Sequence, residues 1–129
     1  MFDTVLFPVD NSRQTLDTAA VALKLAQRHG SRLVILSVVE AEEVGGAMHD
    51  PVAVAQLLEQ VRSSFEQAGI SCDVLEREGK PAFVIGDVAD EINADVIVMG
   101  TRGLALEDDE HSTAARVIQL APCPVLVVP

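Results

Sequence analysis

The chain has 129 residues, of which 20 are acidic and 9 are basic, so its formal net charge is -11. With 49% hydrophobic and 22% charged residues it has the composition of a single folded domain over residues 1–129, which excludes a disordered chain and a small disulfide-stapled scaffold. The acidic excess, with four phenylalanines as the only Phe, Tyr or Trp residues, argues against a nucleic-acid partner.

The sequence also lacks the features of membrane and exported proteins. No apolar run approaches the ~20 residues of a membrane-spanning helix, and the first residues, Met1-Phe2-Asp3-Thr4, do not resemble a secretory signal. We therefore expect a cytoplasmic protein with no membrane partner. Cys72 and Cys123 lie far apart without CxxC spacing, which predicts two buried free thiols and neither a disulfide nor a zinc site.

Five short segments have strand character. Four are continuous apolar runs, as expected for parallel strands covered on both faces, and the fifth alternates like an edge strand. The continuous runs are residues 4–9, 33–39, 95–99 and 125–128, and the alternating segment is 71–76.

Between the strands, apolar residues recur at helical spacing in four segments, each with one apolar face. Gly30 and Gly69 are placed to end the first two helices, Pro81 to begin the third and Pro122 to close the fourth. The alternating order predicts an α/β sandwich around a mostly parallel five-stranded sheet. The predicted faces comprise Leu16, Ala19, Ala20 and Leu23; Val54, Leu57, Leu58, Val61 and Phe65; Val84, Ile85, Val88 and Ile92; and Ala114, Val117, Ile118 and Ala121.

The segments that follow the strands are the candidate ligand-binding parts, because open α/β sheets bind ligands beyond the carboxyl ends of their strands. Gly100 and Gly103 would let the backbone approach a ligand closely. Ser112 and Thr113 place hydroxyl and N–H groups at a helix start, where the dipole favours an anion. The stretch 100–113 therefore predicts a phosphate-binding loop. A second segment, residues 40–50, contains a pair of glycines and several acidic residues, which predict a mobile loop.

Several pieces of the chain, in this order and spacing, carry a family resemblance. They are residues 5–12 (VLFPVDNS), Gly79-Lys80-Pro81, 94–104 (ADVIVMGTRGL), 112–118 (STAARVI) and 121–128 (APCPVLVV). With them the sequence resembles the universal stress protein family over nearly its whole length. The resemblance implies a three-layer, Rossmann-like fold of the adenine nucleotide alpha hydrolase type, with a five-stranded parallel sheet of order 3-2-1-4-5. It also implies a homodimer through Val125–Val128 and, in one branch, an adenine nucleotide held by G-x-x-G, nine residues, then G-[ST].

The family's binding residues carry over position by position. Asp10 would face the ribose or adenine, and Met99 and Gly100 would flank the base and ribose. Phosphates would contact Gly103 and the start of the last helix. The full set implied by the resemblance is Pro8, Val9, Asp10, Val38, Met99, Gly100, Arg102, Gly103, His111, Ser112 and Thr113.

The sequence departs from the motif after Gly103. Only the seven residues 104–110 follow before His111, which stands where the family has glycine. The run 107–110 adds four carboxylates, whose repulsion of a triphosphate would cost roughly one or two powers of ten in affinity. A Mg²⁺ or Mn²⁺ ion held between these carboxylates and the phosphates would reverse that effect. We therefore expect a metal ion only together with a bound nucleotide, whose phosphates would be among its ligands.

Each of these residues also has a plain structural interpretation. Asp10 can cap the first helix, Met99 can be strand core, and the acidic run 107–110 can be a solvated loop. His111 can simply be a residue near a helix start, although a histidine there could also donate to a phosphate.

Two functions from different classes remain open at this point. The first is a cytoplasmic homodimer that binds ATP, ADP or AMP in a stress response and presents the occupied state to an unidentified regulatory protein partner. The alternative is a universal stress protein that has lost nucleotide binding and acts as a dimeric protein-interaction module. An enzyme is not expected, because the sequence has no G-x-x-x-x-G-K-[ST], G-x-S-x-G or HExxH motif, although slow ATP hydrolysis would be compatible with the fold.

Overall fold

The computed structural model describes residues 2–9, 15–39, 51–101 and 113–129, without the side chains of Pro51 and Val54. Within these ranges strands and helices alternate as the sequence predicts. The elements are β1 (Thr4–Val9), α1 (Thr15–His29), β2 (Arg32–Val39), α2 (Pro51–Gln67), β3 (Cys72–Glu78), α3 (Pro81–Glu91), β4 (Val96–Gly100), α4 (Thr113–Leu120) and β5 (Val125–Val128).

The five strands form one sheet in the order β3-β2-β1-β4-β5, and every neighbouring pair is parallel. This confirms the order implied by the family resemblance. Helices α1 and α2 pack on one face of the sheet, and α3 and α4 pack on the other. Because β2 and β4 lie on opposite sides of β1, the strand order reverses between β1 and β4.

The core has two halves, one on each face of the sheet. Phe7 of β1 and Phe65 of α2 are each 1% exposed and dominate the half under α1 and α2. Leu36 of β2 and Ile97 of β4 are both fully buried in the half under α3 and α4. The central strands are thus apolar on both faces, which is why their sequences read as continuous apolar runs.

The apolar face predicted for α1 is partly wrong. Leu16 is 54% exposed and Ala20 is also exposed, whereas Ala19 is buried and Leu23 is half-buried. The face of α1 that packs on the sheet consists of small residues. They recur at helical spacing, as the predicted larger residues also do, and their small size lets the helix lie close to the strands. These are Thr15, Thr18, Ala19, Ala22 and Ala26.

The faces of the other helices follow the sequence more closely. Leu58, Val61 and Phe65 of α2 are buried as predicted, and Val54 lies outside the described side chains. Ile85 and Val88 are buried in α3. In α4, Ala114 and Val117 are buried, but the prediction for Ile118 is wrong, because its side chain is 56% exposed.

Three strands extend beyond a predicted end, because backbone pairing continues past the apolar residues, and β3 and β4 each begin one residue later than predicted, at Cys72 and Val96. β2 begins one residue early, at Arg32, whose N–H donates to the carbonyl oxygen of Asp3 at 2.8 Å. β3 continues to Glu78, which pairs with Val39 of β2. β4 likewise runs to Gly100 rather than ending at Met99.

The two cysteines are free, as predicted, but they are half-buried rather than buried. Burial, and after it the nearby Glu66, raises the pKa of the Cys72 thiol above its usual range. Burial and then Asp95 raise the pKa of Cys123 in the same way. Both side chains are therefore neutral thiols near pH 7 and are poor nucleophiles.

Gly79 joins β3 to α3 in a conformation that only glycine adopts easily. Its φ is +144°, and a Cβ there would lie 2.9 Å from Cγ2 of Val84. Gly79→Ala should therefore lower the free energy of unfolding by about 1–3 kcal/mol. Urea denaturation measures this loss.

The matched control is Gly86→Ala in the interior of α3. A Cβ at Gly86 has its nearest contact at 3.7 Å, the carbonyl oxygen of Leu120, which is ordinary packing. This variant should leave stability unchanged or raise it by up to about 1 kcal/mol, because alanine favours the helix. Equal losses in the two variants would show that the backbone at Gly79 is unstrained.

Candidate functional site

Three central strands end side by side at the carboxyl edge of the sheet. Val9 of β1 pairs with Ser37 of β2. β1 pairs with β4 in parallel at Leu6 and Ile97, and three residues further along each strand are Val9 and Gly100. This edge includes the point between β1 and β4 where the strand order reverses. Such a reversal opens a crevice in which doubly wound sheets bind ligands.

The described members of the predicted nucleotide set all lie at this edge. Val9 belongs to the core half under α1 and α2, and Val38 and Met99 belong to the half under α3 and α4. These three side chains are at most 6% exposed, whereas Pro8 and Gly100 are half-buried. Val38 and Met99 therefore serve as core residues in addition to any role at the site.

Thr113 is also at this edge, as the first residue of α4, and is half-buried. The amino end of a helix carries the positive end of its dipole, which suits a negatively charged group. The remaining predicted site residues lie outside the described part of the chain, as do the predicted mobile loop 40–50 and the acidic run 107–110. These residues are Asp10, Arg102, Gly103, His111 and Ser112.

Two residues that the sequence analysis did not select stand out at the same edge. Ser37 is 0% exposed and its Oγ has no hydrogen-bond partner; Oγ1 of Thr101, directly after β4, is buried and also has none. Among the described residues, no other buried side-chain nitrogen or oxygen lacks a partner. The sequence did contain a signal, because Ser37 is the only polar residue in the run 33–39 and Thr101 follows Gly100.

The amino edge of the sheet carries a satisfied polar contact instead. Oδ2 of Asp95 accepts a hydrogen bond from the N–H of Thr4 at 2.8 Å, and the Asp95 N–H donates to the Thr4 carbonyl oxygen at 2.8 Å. This reciprocal pair joins β1 to the start of β4. Asp95 therefore has a structural role. The two buried hydroxyls without a side-chain partner, those of Ser37 and Thr101, both lie near the other edge, at the carboxyl ends of the strands.

The described ranges contain no group of three or more His, Cys, Asp or Glu residues placed to hold a metal ion. They also contain no helix that is both long and apolar enough to cross a bilayer.

The residues at the carboxyl edge fit the chemistry of an adenine nucleotide. Pro8, half-buried near the end of β1, offers apolar surface to a base. The half-buried Gly100 has no side chain to obstruct a ligand, and the start of α4 at Thr113 suits a phosphate. The described part of the edge thus offers contacts to both halves of a nucleotide.

Comparison with known proteins agrees with this fold. The profile of the universal stress protein family matches residues 1–129. The universal stress protein Sll1654 of a Synechocystis strain is 52% identical over 136 residues, covering 100% of this chain and 87% of the relative. The crystal structure of a universal stress protein in complex with cAMP has a TM-score of 0.83 at 22% identity, covering 98% of this chain and 96% of that one.

A second structure, a universal stress protein from Archaeoglobus fulgidus in complex with dAMP, has a TM-score of 0.74 at 22% identity and covers 100% of this chain and 98% of that one. At this identity the two structures establish the shared fold, while the family profile and the Synechocystis relative cover the full sequence. The chain therefore belongs to the universal stress protein family.

Proposed function

We propose that this chain binds an adenine nucleotide at the carboxyl edge of its sheet and acts as a regulatory homodimer in the cytoplasmic stress response. The observation that carries the proposal is the reversal of strand order between β1 and β4, with Gly100 as the last residue of β4. Doubly wound sheets bind their ligands at such a reversal. Two family members of the same fold are complexes with cAMP and dAMP, which supports an adenine nucleotide as the ligand.

In this proposal the nucleoside lies over the ends of β1, β2 and β4, near Val9, Val38 and Gly100. Phosphate lies towards Thr113 and the predicted residues Gly103 and Ser112. In the sequence, the acidic run 107–110 lies between Gly103 and Ser112, the predicted phosphate contacts, which favours a monophosphate over a triphosphate unless Mg²⁺ bridges carboxylates and phosphates. The proposed function is binding rather than catalysis, because the sequence contains no G-x-x-x-x-G-K-[ST], G-x-S-x-G or HExxH motif.

The dimer is proposed to form through β5. β5 is the sequence VLVV at a sheet edge, with Leu126 40% exposed and no charged residue. The opposite edge strand, β3, carries charges at Asp73, Glu76, Arg77 and Glu78, which discourage pairing with another strand. Antiparallel pairing with β5 of a second copy would satisfy the apolar edge.

The nucleotide proposal is tested by purifying the protein without added nucleotide, denaturing it, and separating the released small molecules by ion-exchange chromatography against AMP, ADP and ATP standards. We expect an adenine nucleotide to be released by the wild-type protein and much less by Gly100→Val, whose side chain would occupy the crevice. The melting temperature of the variant shows whether it is folded. Wild-type protein that is empty and also fails to bind added AMP would favour the protein-interaction module instead.

A further inference from the structure

An open groove lies where helix α1 passes the edge strand β5. Three of its lining side chains are apolar, and one of these, Leu126, is 40% exposed. The other three are polar and exposed, and two of them are cations. Four of the lining residues, at positions 21, 24, 25 and 28, form one stripe of α1 because they recur at helical spacing. The lining residues, which we call the β5 groove, are Val21, Lys24, Leu25, Gln27, Arg28 and Leu126.

The groove exists because the described helices leave one face of β5 partly uncovered. On this side of the sheet α1 packs on β1 and β4, and α2 packs on β2 and β3. The other side of β5 is covered by α4, where Val125 packs in the half under α3 and α4. Leu126, the next residue along the strand, points to the α1 side and lines the groove. The helical layer therefore stops short of the last strand and leaves apolar surface beside it.

The cations of the groove are unpaired, although the protein is strongly acidic. The net charge is -11, yet Lys24 and Arg28 form no ion pair with any described residue, whereas three other described arginines do. The described residues that line the groove include no Asp or Glu. The one acidic residue of α1, Asp17, lies about 10 Å along the helix axis from Lys24. The groove thus combines apolar surface with two positive charges one helical turn apart.

We infer that the β5 groove is a docking surface for an acidic amphipathic helix of another protein. Such a helix would place apolar side chains against Val21, Leu25 and Leu126 and carboxylates beside Lys24 and Arg28, which is how helix-in-groove partners bind. A pairing of the groove with itself in a second copy is disfavoured, because a twofold axis would set the same cations against each other. Side chains of β5 point out of the sheet, whereas strand pairing uses its backbone, so the helix and the proposed dimer are compatible.

The probe for this inference is a synthetic peptide of Leu, Ala and Glu, about 18 residues long, whose leucines form one helical stripe flanked by glutamates. We expect it to bind the wild-type protein with a dissociation constant below about 1 mM. Lys24→Glu combined with Arg28→Glu should weaken binding at least about tenfold, because two attractions become repulsions. A peptide of the same composition in scrambled order should bind at least about tenfold more weakly, because it has no apolar stripe. Fluorescence anisotropy of the labelled peptides measures these affinities.

The matched control is Lys80→Glu combined with Arg116→Glu. It makes the same change of charge at two exposed cations outside the groove, which also form no ion pair with any described residue. This variant should bind the peptide within about twofold of wild type, because the local charges of the groove are intact. Both double variants should keep the melting temperature and the mass of the wild-type protein.

Several outcomes would overturn the inference. They include a dissociation constant above about 1 mM for the wild-type protein, an equal loss in the control variant, and equal binding of the scrambled peptide. A changed mass in the Lys24→Glu, Arg28→Glu variant would show that a second copy occupies the groove. Wild-type protein that co-sediments with phosphatidylglycerol vesicles but does not bind the peptide would assign the groove to an anionic membrane surface. None of these measurements depends on nucleotide binding, so the proposed function stands or falls separately.

Discussion

Phe65→Ala is expected to lower the free energy of unfolding by about 3–5 kcal/mol, the cost of a large cavity in a packed core. Phe65 is 1% exposed and lies on the inner face of α2. Its ring meets that of Phe7 in β1 edge to face, with 6.1 Å between the ring centroids and 90° between the planes. The pair joins α2 to the central strand, so its loss removes both buried area and an aromatic contact.

Phe83→Ala is the matched control, because it makes the same chemical change on the surface of α3. Phe83 is 52% exposed, so its truncation should change stability by no more than about 1 kcal/mol. Urea denaturation of the two variants gives both values from the same measurement. Similar losses for Phe65 and Phe83 would mean that the α1 and α2 half of the core is not packed as described.

The second large effect concerns assembly: Leu126→Lys should convert the proposed dimer into a monomer at micromolar concentration. Leu126 is 40% exposed at the unpaired edge of the sheet, so a lysine there is tolerated by a single chain. In a twofold pairing of β5 with β5 the two lysines would face each other across the interface. Lys24 and Arg28, which line a groove with Leu126, would add like charge.

Light scattering during gel filtration should give twice the chain mass of 13.7 kDa for the wild-type protein and 13.7 kDa for the variant. The control is Val52→Lys, which places the same charge at a side chain that is 65% exposed on α2, the helix that packs on β2 and β3. It should remain dimeric. A wild-type protein of 13.7 kDa, or a Leu126→Lys variant that stays dimeric, would rule out this interface.

The sequence predicted the fold well because its strands are buried on both faces. A strand such as β2 shows this as a continuous apolar run, and Gly30 and Gly69, whose φ values are +62° and +83°, follow the ends of α1 and α2 as expected. The family resemblance supplied the strand order, which periodicity alone does not determine.

The errors have identifiable physical causes. The face of α1 was misassigned because Leu16 has greater hydropathy than the threonine and alanine residues that meet the sheet, while close helix-to-sheet packing favours small side chains. The start of β2 at Arg32 depends on backbone hydrogen bonds, which hydropathy does not register.

The site was less predictable than the fold. The described site residues lie near the carboxyl ends of β1, β2 and β4 or at the start of α4, as their sequence positions predicted. They are Pro8, Val9, Val38, Met99, Gly100 and Thr113. Ser37 and Thr101 were missed because neither belongs to a recognised motif. Their distinguishing property is the lack of a side-chain partner in three dimensions, and its one trace in the sequence is that Ser37 is the single polar residue of the run 33–39.

The most direct test of nucleotide binding is a calorimetric titration of the wild-type chain with AMP, repeated with ATP in the absence and presence of Mg²⁺. We expect a dissociation constant for AMP below about 1 mM, weaker binding of ATP alone, and recovery of ATP binding with Mg²⁺. Dissociation constants above about 1 mM for both nucleotides, with and without Mg²⁺, would contradict it.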